Sequence, residues 1–366
     1  MLKTYFSSQR VVILDLAAPR RNIWVLGVAT LFGSLRVLSY LSVYIRWTRP
    51  ALVLSMQDNF LPILQLKDVV SSPVIAVIQN GIRTQDSYSS GRDSKINHSQ
   101  SKFRIDHYFC FDESMKNFLK TRIQTTPTAI GSFRSNHSPR SRQTAEEVLF
   151  ISTYRTDIDH NHVIGSGSDG RAVTYGELWN HRLRVIGDVG EMCRHRGLSL
   201  RILGKDKDLL AEQSYFRENL RQVNWELTPR TLERNSYQEC DKASLVISTG
   251  STLGLESLAR GNKTAVFSTM SLLLNDHQYR FGWPENLEAE GPFWSESATT
   301  ERISTILEFL LRCNQSEWLK ILERYKRVIP RYDPTNSIFC ERLKQFGAQS
   351  PYDRRSSEQI HCDQDE

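Results

Sequence analysis

The chain has 366 residues, enough for about two domains of ordinary size. Its 39% hydrophobic and 24% charged residues are those of a folded globular protein, which excludes a disordered or fibrous chain. The net charge of +6 and pI near 9.0 suit an anionic small ligand or an anionic membrane surface; no dense basic helix, zinc finger or RNP-like motif is present, so no nucleic-acid partner is expected.

The first residues show no signal-peptide pattern. Val11–Leu14 reads as a strand. Ile23–Ile45 is largely apolar, broken by Arg36 and flanked by Arg20, Arg21, Arg46 and Arg49. Its length would span a bilayer, but a central Arg and the lack of a second span favour a buried or interfacial amphipathic helix. Within it, Leu38–Trp47 reads as a helix closed by Pro50. Ala51–Ser55 is a strand ending at Gln57-Asp58-Asn59, and Val74–Ile78 a strand ending at Asn80-Gly81-Ile82-Arg83. Tyr108–Phe111 is a strand followed by a helix from Glu113, and Thr128–Ile130 is another strand. Apolar runs with polar ends, alternating with helices, predict a parallel sheet with crossover helices.

Ser132–Thr144 is polar, basic and Ser-rich and is the expected inter-domain linker. A second sheet then begins. Val148–Ser152 is a strand, Tyr175–Arg196 a long helix stopped by Gly197, and Leu198–Leu203 a strand ending at Gly204-Lys205-Asp206. Lys207–Leu220 and Tyr237–Lys242 are helices, with a short extended piece at Trp225. Ile303–Arg312 and Glu317–Val328 are terminal helices. The organisation expected is residues 1–135, 145–346 and a polar, disordered tail at 350–366. Six cysteines form no Cys-x-x-Cys pair, which predicts buried reduced thiols in a cytoplasmic protein and gives no metal site.

The most informative stretch is ISTGSTLGLESLARGNKTAVFS, Ile247–Ser268. It reads as strand, small-residue loop, helix, Gly stop and strand. The loop Gly250-Ser251-Thr252 brings unpaired N–H groups to a helix start, where an anion such as phosphate is favoured. Glu256 follows Thr252 by four residues and shares its helix face, placed for sugar or ribose hydroxyls. The spacing fits neither a P-loop nor a Rossmann fingerprint. Two such sheets put the polar strand ends, including Asn80–Arg83, Gly204–Asp206 and Thr249–Thr252, around one cleft.

Other candidates follow from position. Asp58 ends a strand at the cleft and is the candidate general base for an acceptor hydroxyl. Asn80, Gly81 and Arg83 are candidate acceptor or phosphate contacts, and Arg155 a bidentate phosphate ligand. Asp157-Ile158-Asp159, near His160 and His162, has the look of an Asp-x-Asp metal motif, but no metal is expected there. Trp283 and Trp294 are candidate walls for a sugar ring.

STLGLESLARGNKTAVFS resembles the donor-binding motif of GT-B-type glycosyltransferases. With VIQNGIR (Val77–Arg83), DHYFCF (Asp106–Phe111), IGSFRSN (Ile130–Asn136), VLFISTYR (Val148–Arg155), RILGKD (Arg201–Asp206), FGWP (Phe281–Pro284) and GPFW (Gly291–Trp294), the chain resembles a bacterial family of surface-carbohydrate (O-antigen) biosynthesis transferases, over about Ser55–Leu343. The resemblance implies an α/β chain of two Rossmann-like parallel-sheet domains facing a cleft. It places donor phosphates on Ser251 and Thr252, hydroxyls on Glu256, and a phosphate or nucleotide contact on Gly204 and Lys205. It also implies a C-terminal helix crossing back onto the first domain, for which Glu317–Val328 is the candidate. A nucleotide sugar would be the donor substrate, with no cofactor, and a lipid-linked or glycan acceptor would be used at the inner membrane face. The chain departs from retaining GT-B enzymes, since Ser248 stands eight residues before Glu256 where many carry a second glutamate. An epimerase, a polyol-phosphate transferase and a non-catalytic assembly protein are the alternatives on this scaffold.

Overall fold

A computed structural model describes residues 6, 11–14, 23–31, 36–88, 103–143, 146–230 and 235–346. Val11–Leu14 is not a strand. The apolar segment after it forms two helices, α1 (Ile23–Leu31) and α2 (Val37–Thr48), packed on each other. α2 buries Tyr40, Leu41 and Ile45 and ends at Arg49, whose φ of 46° turns the chain into Pro50. Among the described residues no helix is long and apolar enough to cross a membrane.

The first sheet is parallel, in the order β1 (Leu52–Ser55), β2 (Val74–Ile78), β3 (Phe103–Cys110), β4 (Ile123–Ala129). Two short helices, α3 (Leu61–Leu64) and α4 (Leu66–Val69), join β1 to β2, and α5 (Glu113–Arg122) joins β3 to β4. Strand alternation divides the core. Ile75 and Val77 face Leu41, Ile45 and Leu66, while Ala76 and Ile78 face the opposite layer. After α6 (Phe133–Asn136) comes the second sheet, with β5 (Glu147–Ile151), β8 (Ser199–Leu203), β9 (Glu226–Thr228), β10 (Leu245–Ser248), β11 (Thr264–Phe267) and β12 (Trp294–Ser295). Its order is β12-β11-β10-β5-β8-β9, all parallel. A small antiparallel hairpin, β6 (Val163–Ser166) and β7 (Ala172–Thr174), follows β5 and was not foreseen.

The helices of this half follow from local signals. α7 (Tyr175–Arg196) starts in a capping box of Thr174 and Glu177 and stops at Gly197, with φ 67°. α8 (Leu209–Asn219), α9 (Asn235–Lys242), α10 (Thr252–Ala259), α11 (Thr269–Leu274), α12 (Thr300–Arg312) and α13 (Gln315–Arg324) complete it. The fold expected from sequence, two parallel-sheet α/β units, is present. The helix that crosses back is a later one than expected. Trp318 and Leu322 of α13 stay in the second core, whereas α14 (Ser337–Lys344) sets Phe339, Cys340 and Leu343 against Ala76, Ile78 and Phe109 of the first sheet. The 350–366 tail lies outside the described residues. Cys110, Cys193, Cys240, Cys313 and Cys340 are free and buried.

The segment between the sheets is packed rather than loose. Ser132, Phe133, Ser135, Asn136 and Ser138 are buried. Arg260, at the end of α10, explains this. Its guanidinium donates to the carbonyls of Ser135 (3.1 Å), Ser138 (3.0 Å) and Pro139 (2.9 Å), and pairs with Asp241 at 2.5 Å. Both side chains of that pair are 0% exposed. Asn262 adds a third bond to Asp241, at 3.0 Å. A buried pair that loses one partner leaves the other charge uncompensated. Arg260→Ala is therefore expected to lower unfolding free energy by about 3–5 kcal/mol, read from urea melts. A change under about 1 kcal/mol would show that the segment is held by other contacts.

Candidate functional site

In the second sheet the chain runs outward from β5 through β8 to β9, then returns to the other side of β5 as β10. Strand order thus reverses between β5 and β10, and a crevice opens beyond their carboxyl ends. The residues next to that crevice are Ser152 and Thr153 after β5 and Thr249 and Gly250 after β10.

The turn into α10 is shaped by small residues. Gly250 has φ +102°, which favours glycine, and a Cβ built there would meet nothing nearer than Nη2 of Arg182, at 4.0 Å. Ser251 is the N-cap, its Oγ accepting from the Leu253 N–H at 3.3 Å. Ser248 turns inward. Its Oγ accepts from the Ser251 N–H (3.3 Å), and a Cβ on Gly254 would lie 2.2 Å from it. That close packing explains both the glycine at 254 and why position 248 presents no carboxylate to the crevice.

Behind the turn lies a residue the sequence reading did not single out. Arg182 of α7 is 6% exposed, donates to Thr153 Oγ1 (2.8 Å) and to the Thr249 carbonyl (3.1 Å), and stacks over Trp179 at 5.1 Å. It forms no ion pair among the described residues, and its Nε and the Thr249 hydroxyl are buried without partners. Burial pushes this guanidinium down to about 10. Arg230 has a similar position. It donates to the Ser152 carbonyl at 3.1 Å, leaves Nε buried and unpaired, and is lowered by burial. Lys205 is exposed, yet its ammonium is lowered first by lost hydration and then by Arg230, Arg155 and Arg182. Three cations that form no ion pair among the described residues thus converge on the β5–β10 crevice. The signal in sequence was a basic residue on an apolar stripe, since Leu178, Trp179, Arg182, Val185, Ile186 and Val189 share one buried face of α7.

The Gly204–Lys205 turn is organised from within. Fully buried Glu212 accepts from the N–H groups of Lys205 and Asp206, both at 2.9 Å, and from Ser152 Oγ at 2.5 Å. Those amides are therefore occupied, and what Lys205 offers the crevice is its ammonium. Gly204 leaves room for Glu212, whose Oε2 would lie 3.0 Å from an added Cβ.

From the first sheet, the Asn80–Arg83 turn reaches across. The Ile82 N–H donates to Thr252 Oγ1 at 3.2 Å; a Cβ on Gly81 would crowd Arg83 Nη1, at 3.2 Å, and would only touch that oxygen, at 3.4 Å. Asn80 is exposed at the edge. Glu256 is also tied across the cleft, with Oε1 accepting from Ser132 Oγ and from Tyr237 OH (3.1 Å). Burial raises its carboxyl above the usual range. Trp283 meets Phe118 of the first domain edge-on at 5.5 Å, with its Nε1 buried and unpaired.

The expectations for Asp58, Arg83 and Trp294 are corrected, and Arg155 keeps its candidacy. Asp58 is 0% exposed and saturated: Oδ1 accepts from the Asn80 N–H (3.2 Å) and Arg83 Nη2, and Oδ2 from Arg83 Nε (2.7 Å) and Tyr108 OH (2.6 Å). A carboxylate so enclosed cannot reach an acceptor hydroxyl, and Arg83, committed to it, is no free phosphate ligand. Trp294 is core, packed among Phe281, Phe293 and Tyr325, with Nε1 donating to the Glu288 carbonyl at 3.0 Å. Arg155 forms a bidentate pair with Asp157 at 2.9 and 2.5 Å. That pair is exposed and so cheap to open.

Residues 76–347 match the model of a family described as "putative O-antigen biosynthesis protein". The chain belongs to that family. No curated protein sequence is significantly similar to it. Among solved structures it is similar to one described as a "putative UDP-N-acetylglucosamine 2-epimerase" from Listeria monocytogenes, at 12% identity, covering 90% of this chain and 80% of that one, with a TM-score of 0.54. It is also similar to a Staphylococcus aureus MnaA–UDP structure (10%, 91% and 79%, TM-score 0.50) and to a glycosyltransferase from Rickettsia africae (10%, 91% and 83%, TM-score 0.45). At such identities the first two establish the fold, which is GT-B-like.

If Asp58 serves Arg83 rather than a substrate, Asp58→Asn strands a buried guanidinium. The expected result is a loss of about 3 kcal/mol in unfolding free energy. Unchanged stability in urea melts, with lost turnover, would restore the base assignment.

Proposed function

We propose that this O-antigen biosynthesis family member is a glycosyltransferase that moves a sugar from a nucleotide donor to a lipid-linked or glycan acceptor. The observation that carries the reading is Arg182, a buried cation with no acidic partner among the described residues, facing the helix start at Gly250–Ser251. Burying an unpaired charge costs several kcal/mol, a cost that a bound anion would offset. The donor diphosphate would lie between Arg182, Arg230 and the Lys205 ammonium, with its oxygens at the first turn of α10. Thr252 accepts from the Ile82 N–H and keeps its own O–H to donate to a phosphate oxygen. Glu256 would then hold ribose or sugar hydroxyls in place of Ser132.

In the transfer, the bond from the anomeric carbon to the phosphate oxygen breaks, and the nucleoside diphosphate leaves with the electron pair. The acceptor oxygen bonds to that carbon and gives up its proton. The cations act on the negative charge that grows on the leaving diphosphate, which is where preorganised charge lowers a barrier. Such a site needs a nucleotide sugar as substrate and no further cofactor.

The test uses UDP and UDP-sugars in thermal unfolding of the full chain, because a GT-B-like relative of TM-score 0.50 holds UDP. At about one hundred times Kd, a ligand adds about 2.7 kcal/mol to the wild type. Arg182→Met should fold at least as well and lose that gain. Ser251→Ala and Glu256→Ala should weaken it, Ser251→Ala with a further loss of about 1 kcal/mol from the missing cap. Undiminished binding in all three variants would reject the site. Turnover of donor alone would point to an epimerase, and turnover only with acceptor to a transferase.

A further inference from the structure

The α1–α2 pair is a second place where apolar surface and positive charge coincide. Five residues separate the helices, and packed helices joined so closely run antiparallel. The start of α1 and the end of α2 therefore share one end of the hairpin. Trp24 is 83% exposed there and Trp47 64% exposed, with Arg46 and Arg49 exposed beside Trp47. Val28, one turn on from Trp24, is also exposed, as are Val12 and Ile13. Val25 and Ala29 face inward, so the exposed stripe is the outer face of α1.

Charge sets this region apart. Residues 16–57 contain five Arg and no Lys, Asp or Glu, so they hold five of the chain's six net positive charges. This acid-free stretch, with two exposed indoles and exposed arginines, matches an anionic lipid headgroup layer; the nearest acid on a packed element is exposed Asp68, next to Val69, whose carbonyl accepts from Arg46 at 2.7 Å. Indole rings settle at such an interface, and arginines are drawn to its negative potential. A partner protein would ordinarily be met by a mixed-charge rim.

We propose that this end of the α1–α2 hairpin docks on an anionic membrane surface through Trp24, Trp47, Arg46 and Arg49. α2 hands over to β1 within three residues, so this end lies at the amino ends of the first sheet's strands, opposite the cleft. Docking there anchors the protein with the cleft turned away from the bilayer, an orientation that suits a glycan acceptor and not a lipid-linked one held in the same bilayer. The proposal goes beyond the donor reading and does not depend on it.

The experiment is co-sedimentation of the full chain, without nucleotide, with phosphatidylcholine vesicles containing or lacking phosphatidylglycerol. Binding should need phosphatidylglycerol and fall with salt. The double variant Trp24→Ala/Trp47→Ala should bind at least tenfold more weakly, with an unchanged melting curve. Arg46→Gln and Arg49→Gln should each cost about fivefold at low salt. Leu210→Ala, at a 77% exposed leucine elsewhere, is the control and should bind as the wild type does. Equal sedimentation of wild type and double variant, or binding indifferent to both phosphatidylglycerol and salt, overturns the proposal. So does a concentration-dependent dimer that the Trp variants abolish while vesicles go unbound, because the face would then belong to a second copy.

Discussion

The buried pair of Arg260 and Asp241 is the constraint on which the cleft depends. It does not join two strands of one sheet. It ties the end of α10, in the second domain, to three carbonyls of the segment leaving the first. Those carbonyls are acceptors that a polar, Ser-rich connection must satisfy once it is buried. A flexible linker would leave them to water and let the two sheets turn freely. Here one guanidinium satisfies all three, and Asn136 carries the hold onward by bonding Asn336 and the Asp333 N–H, at the entry to the crossing helix α14.

The same short helix serves both ends of this arrangement. α10 spans eight residues, so its start at the crevice and its clamp lie on the order of 12 Å apart on one rigid rod. Glu256, midway, is bonded to Ser132 at the beginning of the packed segment. Anything that reorients α10 at the cleft is therefore felt by the segment that sets the angle between domains. Thr252 and Ile82 close the cleft from the other side. A phosphate oxygen at the helix start would accept from the O–H of the same hydroxyl, so ligand and cross-cleft contact would meet at one group.

Much of the second domain was legible because its signals are local. The limits of α7 coincide with the expected Tyr175–Arg196, since the capping box and Gly197 act within a few residues of each end. In the first sheet, strands such as Val74–Ile78 are readable as apolar runs for the same reason. Roles set by distant partners were not. Asp58 looks like a cleft carboxylate until Arg83 and Tyr108, 25 and 50 residues away, close around it. The linker looks loose until Arg260 arrives from more than 120 residues on. Trp294 beside Gly291 looks like a sugar platform, yet a Cβ on Gly291 would strike the indole at 2.1 Å, so the glycine is there to let the ring pack inward. The helix start at Ser251–Thr252 was visible in sequence, but the cation behind it, on α7, was not.

The positive excess itself divides in a way that composition alone does not suggest. Residues 16–57 account for five of the six net charges, so the remainder of the chain is close to neutral. The cleft is positive for a different reason, namely pairing. Glu147 and Glu239 are spent on Arg201, Asp241 on Arg260, and Asp58 on Arg83, while buried Arg182 and half-buried Arg230 form no ion pair among the described residues. A nearly neutral body with one buried and one half-buried cation outside any ion pair among the described residues makes a short-range, geometrically fixed attraction, suited to one anion in one pose. An acid-free hairpin makes a diffuse, salt-sensitive one, suited to a charged surface. The two halves of the charge thus fit ligands of different kinds, and each is tested by a variant that leaves the other intact.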